Sequence, residues 1–452
     1  MFARFQLAKI FPARWIFFWI LMPNLALIAM WFVGGPRLPV QIMVAGIAAI
    51  VFGSIPNRIV RAVGMVGIFA FMLISYFSRV FYLTFDKALS SLVYLSEMSL
   101  AASPGYVLAG AVLIASLAFC LWFGPKTQRP QGHFQYALAF ACVMLIVQGD
   151  KAMNKADRGG YMVKAPAGTP VSSAMMSIAL SPERLEADNL LVIILESVGV
   201  PNNEHDRQVF DAIWSESRWQ PHYSASFGEV PFYGSTTNAE MRELCSAWDP
   251  PENLDFAQAD CLPRRFANAG FETTALHGFA SEFFNREAWY PAVGFERTSF
   301  RSDLIEDGAS ICDGVFDGVC DRDVPRRIAQ ILGQQPEKRK LVYWLTLNGH
   351  LPVDDNASMA LGECNLGSPD WQADYPMLCR SYMVQRQIAD ALRGEIGKPG
   401  FANTDIVIVG DHIPPFFQNS LRSRFKTGKV PYIYLHRQPE ADTLEPLELA
   451  HR

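Results

Sequence analysis

Five long apolar runs occupy the first 150 residues and constrain the fold more than any other feature of the chain. A helix spans a bilayer with about 20 apolar residues, in a range of roughly 17 to 25. The first and fourth runs reach this length alone, and the other three need flanking residues. The pattern predicts an all-α bundle of five transmembrane helices over residues 1–150. The predicted spans lie near residues 15–33, 40–55, 63–77, 106–123 and 134–147.

The basic residues of the short connections indicate the orientation of this bundle. Lys and Arg concentrate in cytoplasmic loops, and here they lie before the first span and in alternate connections. They are Arg4, Lys9, Arg14, Arg58, Arg61, Lys126 and Arg129. An odd number of spans then places the chain beyond residue 150 on the periplasmic side of a bacterial inner membrane. Residues 84–103 mix apolar with charged side chains, which predicts a helix lying on the membrane surface.

The second part of the chain is more polar. Residues 151–188 hold several Gly and Pro residues and predict a linker with a short helix at 172–180. Residues 189–452 form the predicted periplasmic domain. The whole chain has 39 basic and 44 acidic residues, a net charge of −5, and no basic patch of the kind that binds nucleic acid. This charge balance disfavours nucleic acid as a partner. The apolar runs of the first part predict a membrane.

The cysteines favour an oxidising location for that domain. Cys120 and Cys142 lie in apolar runs and are predicted to be free, buried thiols. The other six are even in number and close in sequence, which suits disulfide bonds outside the cytoplasm. We expect sequential pairs, although six cysteines allow fifteen pairings and reduced thiols are the alternative. These six are Cys245, Cys261, Cys312, Cys320, Cys364 and Cys379.

From residue 189 onward, short β-rich apolar runs alternate with longer amphipathic stretches. This alternation is typical of an α/β domain with a mainly parallel central sheet. The predicted strands cover residues 190–195, 273–276, 341–347, 405–409 and 432–435. The predicted helices cover residues 237–247, 262–269, 324–332 and 382–393.

Polar side chains follow four of the predicted strands at the point where each ends. They are Glu196-Ser197, His277-Gly278, Asn348-Gly349-His350 and Gly410-Asp411-His412. Each alone would most often be a helix cap or a surface residue. Ligands bind beyond the carboxyl ends of strands in open α/β sheets, so we expect all four to line one edge. Glu196, Asp411 and His412 offer two carboxylates and an imidazole, a set that suits one divalent ion, Zn²⁺ or Mn²⁺.

Residues 234–240, Gly-Ser-Thr-Thr-Asn-Ala-Glu, predict a turn that leads into a helix. The amides at a helix N-terminus favour phosphate. A metal ion with an open position would also lower the pKa of a bound hydroxyl, such as that of Thr236. An ordinary Ser/Thr helix cap explains the same residues. Thr236 is therefore a candidate nucleophile because of the three candidate ligands, and not because of its local sequence.

The order of these motifs resembles that of the alkaline phosphatase superfamily, and in particular its five-span envelope transferases. These are lipoteichoic acid synthases, periplasmic glucan phosphoglycerol transferases and lipid A phosphoethanolamine transferases. The resemblance covers the architecture of the whole chain and the motifs of residues 189–436. It implies that Glu196, Thr236, Asp411 and His412 bind one metal ion and that Thr236 becomes phosphorylated.

A further stretch is similar to the substrate-binding segment of lipoteichoic acid synthases. It contains His277-Gly278 and Phe284-Asn285-Arg286, although Trp is more usual than Phe at position 284. The resemblance implies that Phe284 and Asn285 contact substrate and that Arg286 binds phosphate by two parallel hydrogen bonds. A surface ion pair is the alternative for Arg286. His277 and His350 are candidates for holding phosphate oxygens or protonating the leaving group.

The cysteines resemble a different branch. Cys312 and the run Gly318-Val319-Cys320-Asp321 are similar to the disulfide-bearing segment of phosphoethanolamine transferases, and Cys364 and Cys379 lie where that branch also has a pair. The two branches imply different head groups. The sequence therefore leaves phosphoglycerol and phosphoethanolamine both open.

The function implied by the resemblance is transfer of such a head group from phosphatidylglycerol or phosphatidylethanolamine, through phospho-Thr236, to an envelope glycan or glycolipid. A phosphodiesterase or phosphatase that passes the group to water is one alternative. A sulfatase is another, because residues 261–265 fit the C-x-P-x-R pattern in which Cys261 would become a formylglycine nucleophile. Glu196 lacks the paired aspartates that sulfatases usually carry there. A non-catalytic envelope scaffold is the third.

Overall fold

The computed structural model describes residues 12–33, 36–81, 85, 89, 104–153, 164–416 and 418–438. The chain divides into two compact units, Met1–Val163 and Lys164–Arg452. The surface helix expected at 84–103 lies outside the described residues, apart from positions 85 and 89.

The first unit consists of apolar helices, and each predicted apolar run coincides with helical residues. The helices are Ala13–Ile16, which continues through a π-helical turn at Phe17–Leu21 into Met22–Val33, and then Pro39–Ser54, Arg58–Phe81, Pro104–Phe123 and Gly132–Met153. Among the described residues, Arg58–Arg79 and Gly132–Met153 are long and apolar enough to cross a membrane, judged by length and composition. Ala13–Ala29, Pro39–Ser54 and Gly110–Lys126 are apolar but shorter. Helix length thus gives two candidate spans where the sequence predicts five.

Two buried charged side chains in this unit, Arg61 and Asp150, accept or donate hydrogen bonds. The guanidinium of Arg61 donates to the carbonyl oxygens of Gly124, Pro125 and Thr127 over 2.9–3.2 Å. Asp150 accepts from the indole of Trp31 at 3.0 Å. A buried charge is costly unless it is hydrogen-bonded, so these contacts fix the connections against the helices.

The second unit is an α/β domain. Its strands are β1 (Asn189–Leu195), β2 (Tyr223–Pro231), β3 (Glu272–His277), β4 (Arg297–Ser299), β5 (Ile311–Asp313), β6 (Asp317–Val319), β7 (Lys340–Leu345), β8 (Thr404–Gly410) and β9 (Lys429–Arg437). Seven strands form one sheet in the order β2-β9-β8-β1-β7-β3-β4, and β5 and β6 form a separate hairpin. All pairs in the large sheet are parallel except those of β9 with β8 and β2. The prediction of a mainly parallel central sheet is confirmed.

Helices connect and cover these strands. They are Ala174–Ser177, Glu204–Trp214, Thr236–Cys245, Leu262–Asn268, Arg286–Val293, Arg301–Glu306, Val324–Gly333, Pro369–Asp374, Pro376–Ile396 and Asn419–Arg422. Every residue of β1, β7 and β8 is buried, as expected for parallel strands that are covered on both faces.

The register of the central strands aligns their carboxyl ends. In β1, Leu195 lies beside Gly410 of β8, and Ile194 lies beside Leu345 of β7. The segments that follow β1, β3, β7 and β8 therefore leave the sheet at one edge. The predicted strand 341–347 ends earlier, at Leu345. The amide of Thr346 still donates to Ile194 of β1, whereas the amide of Leu347 donates to the carboxylate of Asp321.

Candidate metal centre and active site

Glu196 and Asp411 are placed side by side because they directly follow the neighbouring strands β1 and β8. Ligand atoms of Glu196, Asp411 and His412 all lie within 4.8 Å of one another, and all three residues are buried. Nε2 of His412 is 3.6 Å from Glu196 Oε1 and 3.3 Å from Asp411 Oδ2. The structure thus brings together the three residues predicted as metal ligands.

The hydroxyl of Thr236 lies in the same cluster. Its Oγ1 is 3.1 Å from Glu196 Oε2, 2.9 Å from Asp411 Oδ2 and 3.4 Å from His412 Nε2. Thr236 is the first residue of the helix Thr236–Cys245, which we call the Thr236 helix. Gly234, two residues before Thr236, has φ +80°, a left-handed conformation that glycine adopts without strain. This turn leads into the helix and brings the hydroxyl of Thr236 to the sheet edge.

The donor set fits a divalent cation. A threonine hydroxyl has a single proton to donate, yet Thr236 faces two carboxylates and an imidazole nitrogen. Nδ1 of His412 lies 3.0 Å from the carbonyl oxygen of Ile413, which can only accept, so Nδ1 carries the proton and Nε2 presents its lone pair to the cluster. A second hydrogen bond of this kind commonly orients a metal-binding histidine. The single hydroxyl proton of Thr236 cannot satisfy all three acceptors. A cation bound between them would satisfy the remaining lone pairs.

The electrostatics agree with this assignment. Burial raises the pKa of Glu196, and the neighbouring Asp411 raises it further. Burial raises the pKa of Asp411 to about 6. Burial also lowers the pKa of His412, which keeps the imidazole neutral. Two crowded, buried carboxylates and a neutral imidazole favour a positive ion between them.

Ser197 hydrogen-bonds to both carboxylates, a role that the sequence did not predict. Its φ is +58°, a left-handed conformation that is uncommon for residues other than glycine. In this conformation its amide donates to Asp411 Oδ1 at 2.8 Å and its hydroxyl donates to Glu196 Oε1 at 2.8 Å. Ser197 therefore fixes the orientation of both carboxylates at once.

The loop that carries His350 is held close to β1 and to Asp321. Both oxygens of Asp321 accept from the amide of Leu347, at 2.9 and 3.1 Å, and one accepts from the amide of Asn348 at 2.6 Å. A Cβ on Gly349 would overlap the carbonyl oxygen of Glu196, so only glycine allows this approach. Burial lowers the pKa of His350. His350 thus belongs to the same edge as the cluster.

His277 follows β3 and is buried. Its Nδ1 lies 3.2 Å from the carbonyl oxygen of Leu345, and its Nε2 has no hydrogen-bond partner among the residues that the structure describes. Burial lowers the pKa of His277, and the positive charge of Arg286 lowers it further. His277 is therefore a neutral imidazole whose buried Nε2 makes no hydrogen bond to the described residues, and its substrate role stays a prediction.

Arg286, predicted to bind phosphate, has a protein carboxylate as its partner. It is 1% exposed, and its Nη2 donates to Glu240 Oε2 at 2.7 Å. Tyr290 and Tyr343 donate to the other oxygen of Glu240 at 2.8 and 2.9 Å. Burial would lower the pKa of Arg286, but Glu240 reverses this effect and raises it above its ordinary value. The pair is buried, unlike the surface pair considered from the sequence, and it ties the Thr236 helix to the helix Arg286–Val293. The hydrogen bond from Tyr343 ties the Thr236 helix to β7.

Phe284 and Asn285 form a kink just before Arg286. Both have positive φ values, +56° and +55°. Phe284 is 39% exposed, and its ring lies against that of Phe283 at a centroid distance of 4.5 Å. Phe316 links Phe283 to the imidazole of His350 through ring contacts of 5.0 and 4.6 Å. An aromatic surface therefore extends from His350 to the exposed Phe284, and contact of Phe284 and Asn285 with substrate stays a prediction.

Comparison with known proteins identifies the family. A family model described as Sulfatase matches residues 188–447. The chain belongs to the sulfatase family. Sulfatase-family proteins form part of the alkaline phosphatase superfamily, so the resemblance found in the sequence is confirmed at this level.

Individual relatives of this sulfatase-family chain are distant. A putative cyclic beta-1,2-glucan modification protein of Rhizobium meliloti (strain 1021) is 27% identical over 224 residues, which are 47% of this chain and 33% of that relative. The match therefore takes in about a third of the relative's length. The lipoteichoic acid synthase LtaP of Listeria monocytogenes has 18% identity and a TM-score of 0.42, over 62% of this chain and 69% of that chain. The lipooligosaccharide phosphoethanolamine transferase EptA of Neisseria meningitidis has 12% identity and a TM-score of 0.40, over 94% of this chain and 88% of that chain.

Within the sulfatase family, the structure separates Thr236 from Cys261 as candidate nucleophiles. Cys261 is fully buried and bonded to Cys245, the last residue of the Thr236 helix. Its sulfur is therefore not free for conversion to formylglycine. The other cysteines of this domain also pair sequentially, Cys312 with Cys320 and Cys364 with Cys379.

Proposed function

We propose that this sulfatase-family protein is a metal-dependent phosphotransferase that uses Thr236 as its nucleophile. It moves a phospho-alcohol, phosphoglycerol or phosphoethanolamine, from a membrane phospholipid to an envelope glycan or glycolipid. The observation that carries the proposal is the position of Thr236 Oγ1, within 3.4 Å of Glu196, Asp411 and His412 at a helix N-terminus.

Each group of the site has a defined task in this proposal. Glu196, Asp411, His412 and Thr236 hold one divalent ion, Zn²⁺ or Mn²⁺. The ion, when bound, lowers the pKa of the threonine hydroxyl and neutralises phosphate oxygens. Oδ2 of Asp411, 2.9 Å from Thr236 Oγ1, is the nearest acceptor for the hydroxyl proton. The first amides of the Thr236 helix face the incoming phosphate.

The reaction has two displacements. Thr236 Oγ1 forms a bond to phosphorus, the bond from phosphorus to the glycerol oxygen of the lipid breaks, and diacylglycerol leaves after that oxygen takes up a proton. In the second step the oxygen of an acceptor hydroxyl bonds to phosphorus and gives up its proton, the bond from phosphorus to Thr236 Oγ1 breaks, and Thr236 takes up a proton to restore its hydroxyl. His350 and His277 are our candidates for holding phosphate oxygens or protonating the leaving group.

The helical unit and the cysteines support the location that we propose. We propose five membrane spans, with the three shorter apolar helices lengthened by flanking residues, and a periplasmic catalytic domain. The sequential disulfides suit an oxidising compartment. A membrane-attached domain meets its lipid donor at a high local concentration, which a soluble enzyme would lack.

The acceptor class is suggested by one relative. The Rhizobium meliloti relative is named for modification of cyclic beta-1,2-glucan. We therefore propose an envelope glycan as the first acceptor to test, with glycolipids as the second class.

The deciding experiment compares two adjacent threonines. Purified full-length protein is incubated with fluorescent phosphatidylglycerol or phosphatidylethanolamine, with and without a soluble glucan, and diacylglycerol release is measured. Thr236→Ala should abolish release and the mass increase on the Thr236 peptide. Thr237→Ala is the matched control, because the Thr237 hydroxyl bonds to Ser235, and it should keep both. Full turnover of Thr236→Ala with either lipid would overturn the proposed mechanism.

The same assay tests hydrolysis as the rival reaction. A transferase should release more product when the glucan is present and should place the phospho-alcohol on it. A phosphodiesterase should release the free phospho-alcohol at a rate that the glucan does not change. Absence of any turnover together with absence of bound metal would favour a scaffold.

A further inference from the structure

Arg242 links the Thr236 helix to the strand that carries Asp411. It is fully buried, and its Nη2 donates to the carbonyl oxygen of Gly410 at 2.8 Å. Its Nη1 lies 3.4 Å from the carbonyl oxygens of Asp411 and Pro231. The guanidinium therefore contacts the backbone that carries two candidate ligands, Asp411 and His412, while their side chains remain turned to the cluster.

Glu243 links the same guanidinium to the linker. Its Oε1 accepts from Nε of Arg242 at 2.6 Å, and both residues are buried. Its Oε2 accepts from the amides of Ala174 and Met175 at 2.9 and 3.3 Å. These amides begin the short helix Ala174–Ser177, which we call the linker helix.

The linker makes a second contact with the Thr236 helix region. The indole of Trp248 donates to the carbonyl oxygen of Thr169 at 3.1 Å, and the carbonyl oxygen of Trp248 accepts from Asn238 at 2.8 Å. Asn238 in turn accepts from the amide of Ser235, which precedes Thr236. Residues 169–175 are thus bonded both to the beginning of the Thr236 helix, through Trp248, and to its middle, through Glu243.

We propose that Arg242 and Glu243 are positioning residues for the metal centre, and that the linker helix is part of this support. The linker amides fix Glu243, Glu243 fixes the guanidinium of Arg242, and Arg242 sets the separation between Thr236 and the Asp411-His412 segment. The inference rests on the proposed metal centre and is independent of which head group is transferred.

The physical basis is that the ligands come from separate elements. Glu196 and Asp411 follow paired strands, whose hydrogen bonds fix their separation. Thr236 lies on a helix, so its distance from Asp411 depends on side-chain contacts between helix and strand. A buried guanidinium must keep its hydrogen bonds because its desolvation is costly. It therefore resists changes in that distance more than an apolar contact would.

Three variants probe successive links of this chain of contacts. Arg242→Lys keeps the charge but removes the planar fork, and Glu243→Gln removes the charge of its partner. Ala174→Pro removes one linker amide. Proline is well tolerated at the first position of a helix, and Ser173, with φ −121° and ψ 166°, already has the extended conformation that a residue before proline requires.

The readout is binding of the metal alone. Full-length protein in detergent is stripped with a chelator, its unfolding temperature is recorded, and Mn²⁺ and Zn²⁺ are titrated calorimetrically. Residues that orient metal ligands typically change affinity by about 10- to 100-fold when mutated, and we expect this loss for Arg242→Lys and Glu243→Gln. Ala174→Pro should weaken binding by about two- to fivefold, since the amide of Met175 remains and the linker acts at a distance.

The matched control breaks an ion pair between a buried carboxylate and a partly exposed arginine elsewhere in the domain. Asp206 is fully buried and accepts two hydrogen bonds of 2.6 Å from Arg424. Asp206→Asn should lower the unfolding temperature of the metal-free protein and leave the dissociation constants for both ions unchanged.

The outcomes separate this inference from the proposed function. If wild-type protein binds neither ion, the proposed metal centre is wrong. If it binds them and the folded variants bind equally well, Arg242 and Glu243 have only a structural role and the inference is wrong. Should the two charged-residue variants not fold, Ala174→Pro alone decides, because unchanged affinity in that variant removes the linker from the support.

Discussion

The loss of one charged partner should destabilise the protein to very different extents in two ion pairs of equal length. Arg286–Glu240 and Lys338–Glu272 both have nitrogen to oxygen distances of 2.7 Å. The side chains of the first pair are 1% and 0% exposed, whereas Lys338 in the second is 49% exposed. Comparison of Glu240→Gln with Glu272→Gln therefore isolates the effect of burial on the same chemical change.

Glu240→Gln leaves the guanidinium of Arg286 buried without a counter-charge. Removing one partner of such a pair costs about 3–5 kcal/mol. Glutamine keeps only one of the two carboxylate oxygens. Its NH₂ group would face donors of Arg286, Tyr290 or Tyr343, so one of their hydrogen bonds is also lost. Glu272→Gln should cost about 0–1 kcal/mol, because water solvates the freed lysine.

The assay is urea unfolding of the purified full-length protein in detergent, followed by tryptophan fluorescence at constant salt. The difference between the two variants should be about 2–5 kcal/mol in unfolding free energy. Equal costs for both variants would refute the assignment of Glu240 as the counter-charge of a buried Arg286. If Arg286 is not paired with Glu240, it is again a candidate phosphate ligand, as the sequence predicts.

Three further perturbations test other parts of the site. Gly349→Ala pushes a Cβ against the carbonyl oxygen of Glu196, a candidate metal ligand, and should lower kcat by about 100-fold, whereas Gly333→Ala, which meets no atom within 4 Å, should keep turnover. Burial raises the pKa of Asp321 to about 7, so the folded protein holds one more proton than the unfolded chain between the two pKa values. Unfolding free energy should then fall by up to about 4 kcal/mol as pH rises from 4 to 7, and Asp321→Asn should remove this slope. Cys261→Ser breaks the bond to Cys245 and should lower the unfolding temperature while diacylglycerol release persists, whereas loss of all turnover in a folded variant would support formylglycine chemistry.

Sequence patterns located the sheet edge well because parallel strands leave a strong local signal. Each of β1, β3, β7, β8 and β9 coincides with a predicted strand to within a few residues. The polar residues directly after these strands follow from the same signal. Strand β2 escaped prediction because Tyr223–Pro231 is only partly buried and polar, and β4 to β6 have three residues each.

Support residues were harder to find, because their roles depend on partners far along the chain. Ser197 acts through a left-handed backbone, for which the sequence has no signal at a serine. Asp321 belonged to a recognised cysteine segment, yet its bonds to Leu347 and Asn348 depend on tertiary packing. Glu240 lies in the predicted helix start at residues 234–240, and its pairing with Arg286 depends on how two helices meet the sheet. Only the structure shows that a residue predicted as a ligand, such as Arg286, belongs to a buried ion pair.

The pairing of β1 with β8 has a consequence for the order of events during synthesis. The amide of Ser197 and its acceptor Asp411 are 214 positions apart in the chain. Glu196 therefore gains its neighbours Asp411 and His412 only after β8, near the end of the chain, has been synthesised and has paired with β1. Contacts this remote in sequence form late and slowly. A chain whose synthesis has not reached β8 lacks the complete candidate ligand set, so an ion could bind at this centre only after the domain has folded.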